Sequence, residues 1–76
     1  MPHIDIKSFP REFTDQEKQT LADEITDLIV KRFASKPESV SISLQYVPTN
    51  QWQATVYEPQ IVGQQQFLIK KPGYSM

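Results

Sequence analysis

Few residues in this chain can do acid–base or covalent chemistry, and the most unusual of them stands at its front. Met1 is followed by Pro2. A small second residue makes Met1 a good substrate for removal, and removal exposes Pro2 as a free secondary amine. The ring holds the nitrogen lone pair in a fixed direction, at the start of a strand rather than on a flexible side chain. A backbone amine titrates at roughly 7.7–8.0 when unperturbed, and a prolyl amine is somewhat more basic. An apolar pocket or a nearby arginine pulls that value toward neutrality, which frees the neutral amine to act as a general base. As a bare dipeptide, the same two residues equally suit the start of an edge strand.

The other candidates are sparse. Cysteine is absent and His3 is the single histidine, so there is no disulfide framework, thiol nucleophile, thiolate metal site or Cys-His pair. No His cluster has metal-ligand spacing, and neither a metal nor an organic cofactor is expected. Two glycines, Gly63 and Gly73, cannot build a phosphate-cradling loop. In a regular strand His3 points away from the face of Pro2 and Ile4 and shares its side with Asp5 and Lys7, where a surface histidine and a cross-strand ion pair account for all three. Arg11 lies in a loop, as either a solvated cation or a carboxylate ligand. Trp52 suits a core or dimer anchor, and a pocket wall where its ring stays accessible. Tyr46, Tyr57 and Tyr74 carry hydroxyls able to donate to an oxyanion, and their spacing singles out none of them.

Positioning these groups falls to a short list of elements. Ile4 and Ile6 alternate with His3, Asp5 and Lys7 at the period of a half-buried strand, which Pro10 ends because it cannot donate to a ladder. Thr14-Asp15-Gln16-Glu17 has the capping-box form. Leu21, Ile25, Leu28, Ile29 and Phe33 follow at helical spacing and Lys31-Arg32 favour the negative end of the dipole, so a helix is expected from about Asp15 to Ala34, stopped by Ser35-Lys36-Pro37. Val40, Ile42, Leu44 and Tyr46 then alternate with Ser41, Ser43 and Gln45 as a second strand. A strand, a long helix and a strand describe a right-handed crossover, so the two strands should be parallel. Further on, the alternation of Trp52, Ala54 and Val56 predicts a short strand or extended wall. Glu58-Pro59 predicts the opening of a short C-terminal helix carrying Ile61, Val62, Leu68 and Ile69 and closed by Lys70-Lys71-Pro72-Gly73, with Gly63 unfavourable in its interior.

A length of 76 residues allows one domain, 1–76, and excludes a multidomain enzyme. Eight basic against nine acidic residues give a net charge of −1, too weak a field to hold a polyanion, so no nucleic-acid partner is expected. The opening lacks the basic and apolar regions of a signal peptide. From Ser39 to Tyr57 no charged residue occurs, yet Pro48, Asn50 and several Ser and Gln residues make that run unfit to span a membrane. The protein is therefore read as cytoplasmic, and the uncharged run as a buried one. Two strands and one or two helices do not close a core, because parallel sheets are normally covered on both faces and a two-stranded sheet has two open edges. The pattern predicts an α/β homodimer of β-α-β protomers whose sheets join into four strands.

The opening PHIDIKSFPREF, the capped helix TDQEKQTLADEITDLIVKRF, the strand SVSISLQYV and Trp52 shortly after it resemble, in one register, the 4-oxalocrotonate tautomerase family. The resemblance covers essentially the whole chain. It implies the tautomerase fold, and keto–enol tautomerisation of a small enol or keto acid, with Pro2 as general base and acid. Pro2 would take the enol hydroxyl proton, or one from the carbon next to the carbonyl, and return it at the other site while a donor or cation faces the negative oxygen. Many relatives place an arginine in the loop between the first strand and the helix, which is where Arg11 lies, in a loop one residue longer. Members acting on dicarboxylates place a second arginine in the second strand. Ser41 stands there, so a second carboxylate would lack its charge-assisted partner. The family's aromatic wall residue, usually Phe, corresponds to Trp52. Together these positions imply an enol with one carboxylate and an aromatic or extended apolar part, such as a phenylpyruvate-like enol.

Two other classes stay open at this point. A non-catalytic ligand-binding or interaction dimer on the same fold needs no free amine: with Met1 retained, Pro2 is a tertiary amide without a basic nitrogen. Hydration or decarboxylation by the same amine is compatible with every residue named.

Overall fold

Backbone bonds at the two ends of the sheet define its register. β1 (His3–Ser8) and β2 (Ser41–Tyr46) form one two-stranded sheet in the computed structural model, which describes residues 1–76. The Ser41 amide donates to the Pro2 carbonyl at 3.2 Å, and the Val47 amide donates to the Ser8 carbonyl at 2.8 Å. The offset is the same at both ends and residue numbers rise together, so the strands are parallel. A parallel pair needs a long connection, and α1 (Asp15–Phe33) supplies it. The result is the β-α-β arrangement expected from the sequence.

That register sets His3 beside Ser41 and Asp5 beside Ser43. Both pairs bond through their side chains, His3 Nδ1 with Ser41 Oγ at 2.6 Å and Ser43 Oγ donating to Asp5 Oδ1 at 2.8 Å. These residues make one face of the sheet polar. Ile4, Ile6, Ile42 and Leu44, all half-buried, alternate with them and belong to the other face.

The chain divides into two compact units, of which the first comprises Met1–Ile6 and Arg11–Gln45. Its helix begins where the capping box predicts: the Glu17 amide donates to the Thr14 hydroxyl at 3.1 Å, and the Thr14 amide donates to the Glu17 carboxylate at 3.0 Å. It ends at Phe33, and Ala34 turns the chain out in the left-handed conformation at φ 53°. A short 3-10 turn, Pro37–Ser39, leads into β2. Leu21, Ala22, Ile25, Ile29 and Val30 form a half-buried stripe on α1. Leu28 and Phe33, expected in that stripe, are instead 54% and 66% exposed.

The second unit comprises Lys7–Pro10 and Tyr46–Met76. It holds the two buried apolar residues of the chain, Val47 and Val56. Here the structure corrects the sequence reading. After a 3-10 turn at Thr49–Gln51, residues Gln53–Ile61 wind as a π-helix and Val62–Phe67 as a 3-10 helix. Trp52 and Val56 are therefore neighbours four residues apart on a helical segment, with Ala54 exposed, and not alternate residues of a strand. Pro59 does not open this segment but lies inside it. In α geometry its ring would meet the Thr55 carbonyl four residues back, and the wider π winding relieves that crowding. Gly63 follows at a close approach, since a Cβ there would lie 3.2 Å from the Glu58 carbonyl oxygen. The helical part stops at Phe67; Leu68 is extended and Ile69 is fully exposed, so neither belongs to the helix and Lys70-Lys71 do not cap it.

The Glu17 carboxyl is held below the ordinary carboxylate range, chiefly by the bond from the Thr14 amide, with the Thr14 hydroxyl and Arg11 adding to it and partial desolvation opposing. A carboxylate whose pKa is lower in the folded chain stabilises it above the unfolded value and ceases to as pH falls through the folded one. Acidification through and below the ordinary carboxylate range should therefore destabilise the parent chain more than Glu17→Gln, as read by thermal melts at a series of pH values. At neutral pH, Thr14→Ala should cost about 1 kcal/mol, or a melting temperature lower by about 4–8 °C.

Candidate active site

Pro2 stands one residue ahead of β1 and is half-buried, while Met1 before it is fully exposed. The Pro2 carbonyl is fixed by the Ser41 amide at 3.2 Å. Ser41 itself offers no charge, and its hydroxyl is bonded to His3 at 2.6 Å. His3 is exposed, as the strand alternation predicts.

Arg11 lies on the approach to α1. The Phe13 amide donates to the Arg11 carbonyl at 3.0 Å, a tight turn that folds the guanidinium back over the Phe13 ring, 4.2 Å from its centroid. One guanidinium nitrogen stands 3.8 Å from Glu17 Oε2. The Arg11 side chain is 62% exposed, and exposed ion pairs of this length hold little energy, so the guanidinium is free to exchange Glu17 for another carboxylate.

Trp52, in the second unit, is the centre of an aromatic group that spacing did not reveal. Phe9 meets the indole edge-on, with ring centroids 5.1 Å apart and planes at 86°. The indole Nε1–H donates to the Tyr74 hydroxyl at 3.0 Å, and Tyr74 in turn lies 5.8 Å from the Tyr57 ring. Trp52 and Tyr57 are half-buried, whereas Phe9 and Tyr74 present about half of their surface to solvent. The hydroxyl of Tyr74 is thus distinguished from those of Tyr46 and Tyr57 by a donor that already points at it. The one sequence signal for this was an aromatic residue directly after Pro72-Gly73, a turn that can bring the last residues back onto the fold.

The family model described as tautomerase enzyme matches residues 2–57, a span that contains Pro2, Arg11 and Trp52. The chain belongs to the tautomerase family. Its likeness to individual tautomerases extends beyond that span. It is 54% identical over 76 residues to Tautomerase PptA of Escherichia coli O127:H6, covering all of both chains. To Tautomerase PptA of Escherichia coli O157:H7 it is 53% identical, again over all of both. To that of Escherichia coli strain K12 / DH10B it is 53% identical over all of this chain and 97% of the relative. In this tautomerase-family chain the match reaches through the π-helical segment and the final residues, so the Trp52–Tyr74 pairing lies within a region shared in sequence with full-length relatives.

Trp52 is the only tryptophan, so its indole N–H gives a single resonance. Tyr74→Phe keeps the ring and removes the acceptor. The indole proton should then move upfield and exchange faster with water, and an unmoved resonance would mean that the bond does not form in solution.

Proposed function

We propose that this tautomerase-family chain moves a proton between oxygen and carbon of a small enol acid, using Pro2 as base and acid after Met1 is removed. The observation that carries the proposal is the placement of Pro2: half-buried, with its carbonyl tied to β2, behind a Met1 whose side chain is fully exposed. Loss of Met1 costs no packing and leaves a secondary amine in a held position. That amine takes the enol hydroxyl proton and returns one to the adjacent carbon as the carbonyl forms, or runs the same steps in reverse. Charge on the substrate oxygen needs a facing donor or cation. Arg11 is the cation we assign to the substrate, through its carboxylate, since its tie to Glu17 is long and exposed. Trp52 is assigned as the apolar wall.

The substrate class we propose is an enolpyruvate with one carboxylate and an aryl group. Ser41 supports it, because an uncharged hydroxyl already bonded to His3 gives a second carboxylate no counter-charge. Trp52 supports it through the extent of its ring system. We further propose a homodimer whose sheets join into four strands. Leu28 and Phe33 on α1, Tyr46 at the end of β2, and Phe67 and Ile69 are all large apolar residues left exposed in one chain, and a partner would cover them.

Pro2→Ala keeps a processed amine but loses the ring and the secondary nitrogen. Its kcat/KM toward an aryl enolpyruvate should fall by roughly 10²–10⁴, with the fold intact by circular dichroism; activity near that of the parent would overturn the mechanism. In a steady-state panel on Met-processed protein, aryl monocarboxylates should turn over faster than dicarboxylates. Sedimentation at micromolar concentration should show a dimer, and a folded monomer would remove the assembly proposed here.

A further inference from the structure

We propose that His3 and Ser41 act as a clamp that positions the Pro2 amine, an inference that rests on the role proposed above for Pro2. Ser41 is bonded twice to the front of β1. Its amide donates to the Pro2 carbonyl at 3.2 Å, and its hydroxyl meets His3 Nδ1 at 2.6 Å. Pro2 and His3 are consecutive, so one residue of β2 holds the carbonyl of the first and the imidazole of the second.

The first residues of a chain fray unless something ties them down. Pro2 precedes the strand, and Met1 ahead of it is fully exposed. In the processed chain a single torsion, ψ of Pro2, separates the ring nitrogen from the carbonyl that Ser41 holds. Fixing the Pro2 carbonyl directly, and the His3 Cα behind it through the imidazole, therefore leaves the lone pair one main degree of rotational freedom. A base must meet its proton at about 2.6–3.2 Å, and small misplacements cost rate steeply.

The pairing of imidazole with hydroxyl suits this task. A serine hydroxyl both donates and accepts, so it pairs with Nδ1 in either tautomer of the ring. The groups sharing that face of the sheet are Asp5, bonded to Ser43, with Lys7 further along β1; across from them on β2 stand Ser41, Ser43 and Gln45, none of which titrates.

The test uses Met-processed protein and one aryl enolpyruvate. His3→Ala and Ser41→Ala should each lower kcat by between about 10- and 100-fold with KM and melting temperature unchanged. The double variant should be no worse than either single one, because both remove the same contact. Ser41→Thr, which keeps the hydroxyl, and His3→Asn, whose amide stands in for Nδ1, should recover most of the loss. Independently of activity, the Ser41 amide should exchange with deuterium faster in His3→Ala. Unchanged kcat in both single variants, losses that multiply in the double one, or a change confined to KM would each overturn the clamp. Full activity of Pro2→Ala would instead overturn the base itself, and the amine-positioning role with it, a result that these variants cannot mimic.

Discussion

The parallel pairing of β1 with β2, at one offset from Pro2–Ser41 to Ser8–Val47, is the constraint on which the rest of the chain depends. Parallel strands cannot be joined by a tight turn, so the register is set by how much chain α1 and its flanking loops consume. Once set, it lays polar residue against polar residue on one face, His3 with Ser41 and Asp5 with Ser43, and keeps Ile4, Ile6, Ile42 and Leu44 on the other. A slip of one residue would exchange the two faces, setting isoleucines where the polar side chains now pair and serines where the isoleucines are half-buried. The side chains that surround the front of β1 are therefore specified by the same alternation that buries the sheet.

This economy has a cost in core volume. Only Val47 and Val56 are buried, and no residue of α1 is. Helix formation in α1 consequently leans on its ends: the reciprocal Thr14–Glu17 bonds at the start and the left-handed Ala34 at the finish. Glu17 is shared between two tasks, since it also faces Arg11. The residue that caps the start of the helix thus also faces the Arg11 guanidinium, and the first turn of α1 couples local stability to the loop before it.

Where the sequence carried a strong period, the fold was legible. The alternation in β1 and β2 and the i, i+4 spacing of α1 each match a single template, and strand–helix–strand order leaves little choice but a parallel pair. Pro2 and Arg11 could be picked out as chemistry-bearing residues by type, with the family resemblance giving them roles. Residues 52–67 were not legible, for a physical reason: Trp52, Ala54 and Val56 fit a strand period over five residues, yet Trp52 and Val56 are also one helical turn apart. Pro59 normally marks a first turn, and here a π winding, for which no short sequence template exists, makes room for it further in. The Trp52–Tyr74 bond joins residues far apart in sequence, and no local pattern announces such a contact.

The register also dictates an order of events during synthesis. β1 is made first, but its pairing partner is completed only with Val47, after the whole of α1 and β2 has been made. Until then the front of the chain has no ladder to join and trails in water as it leaves the ribosome. The front of β1 is thus made first, yet gains its ladder bonds only when the second strand has followed it.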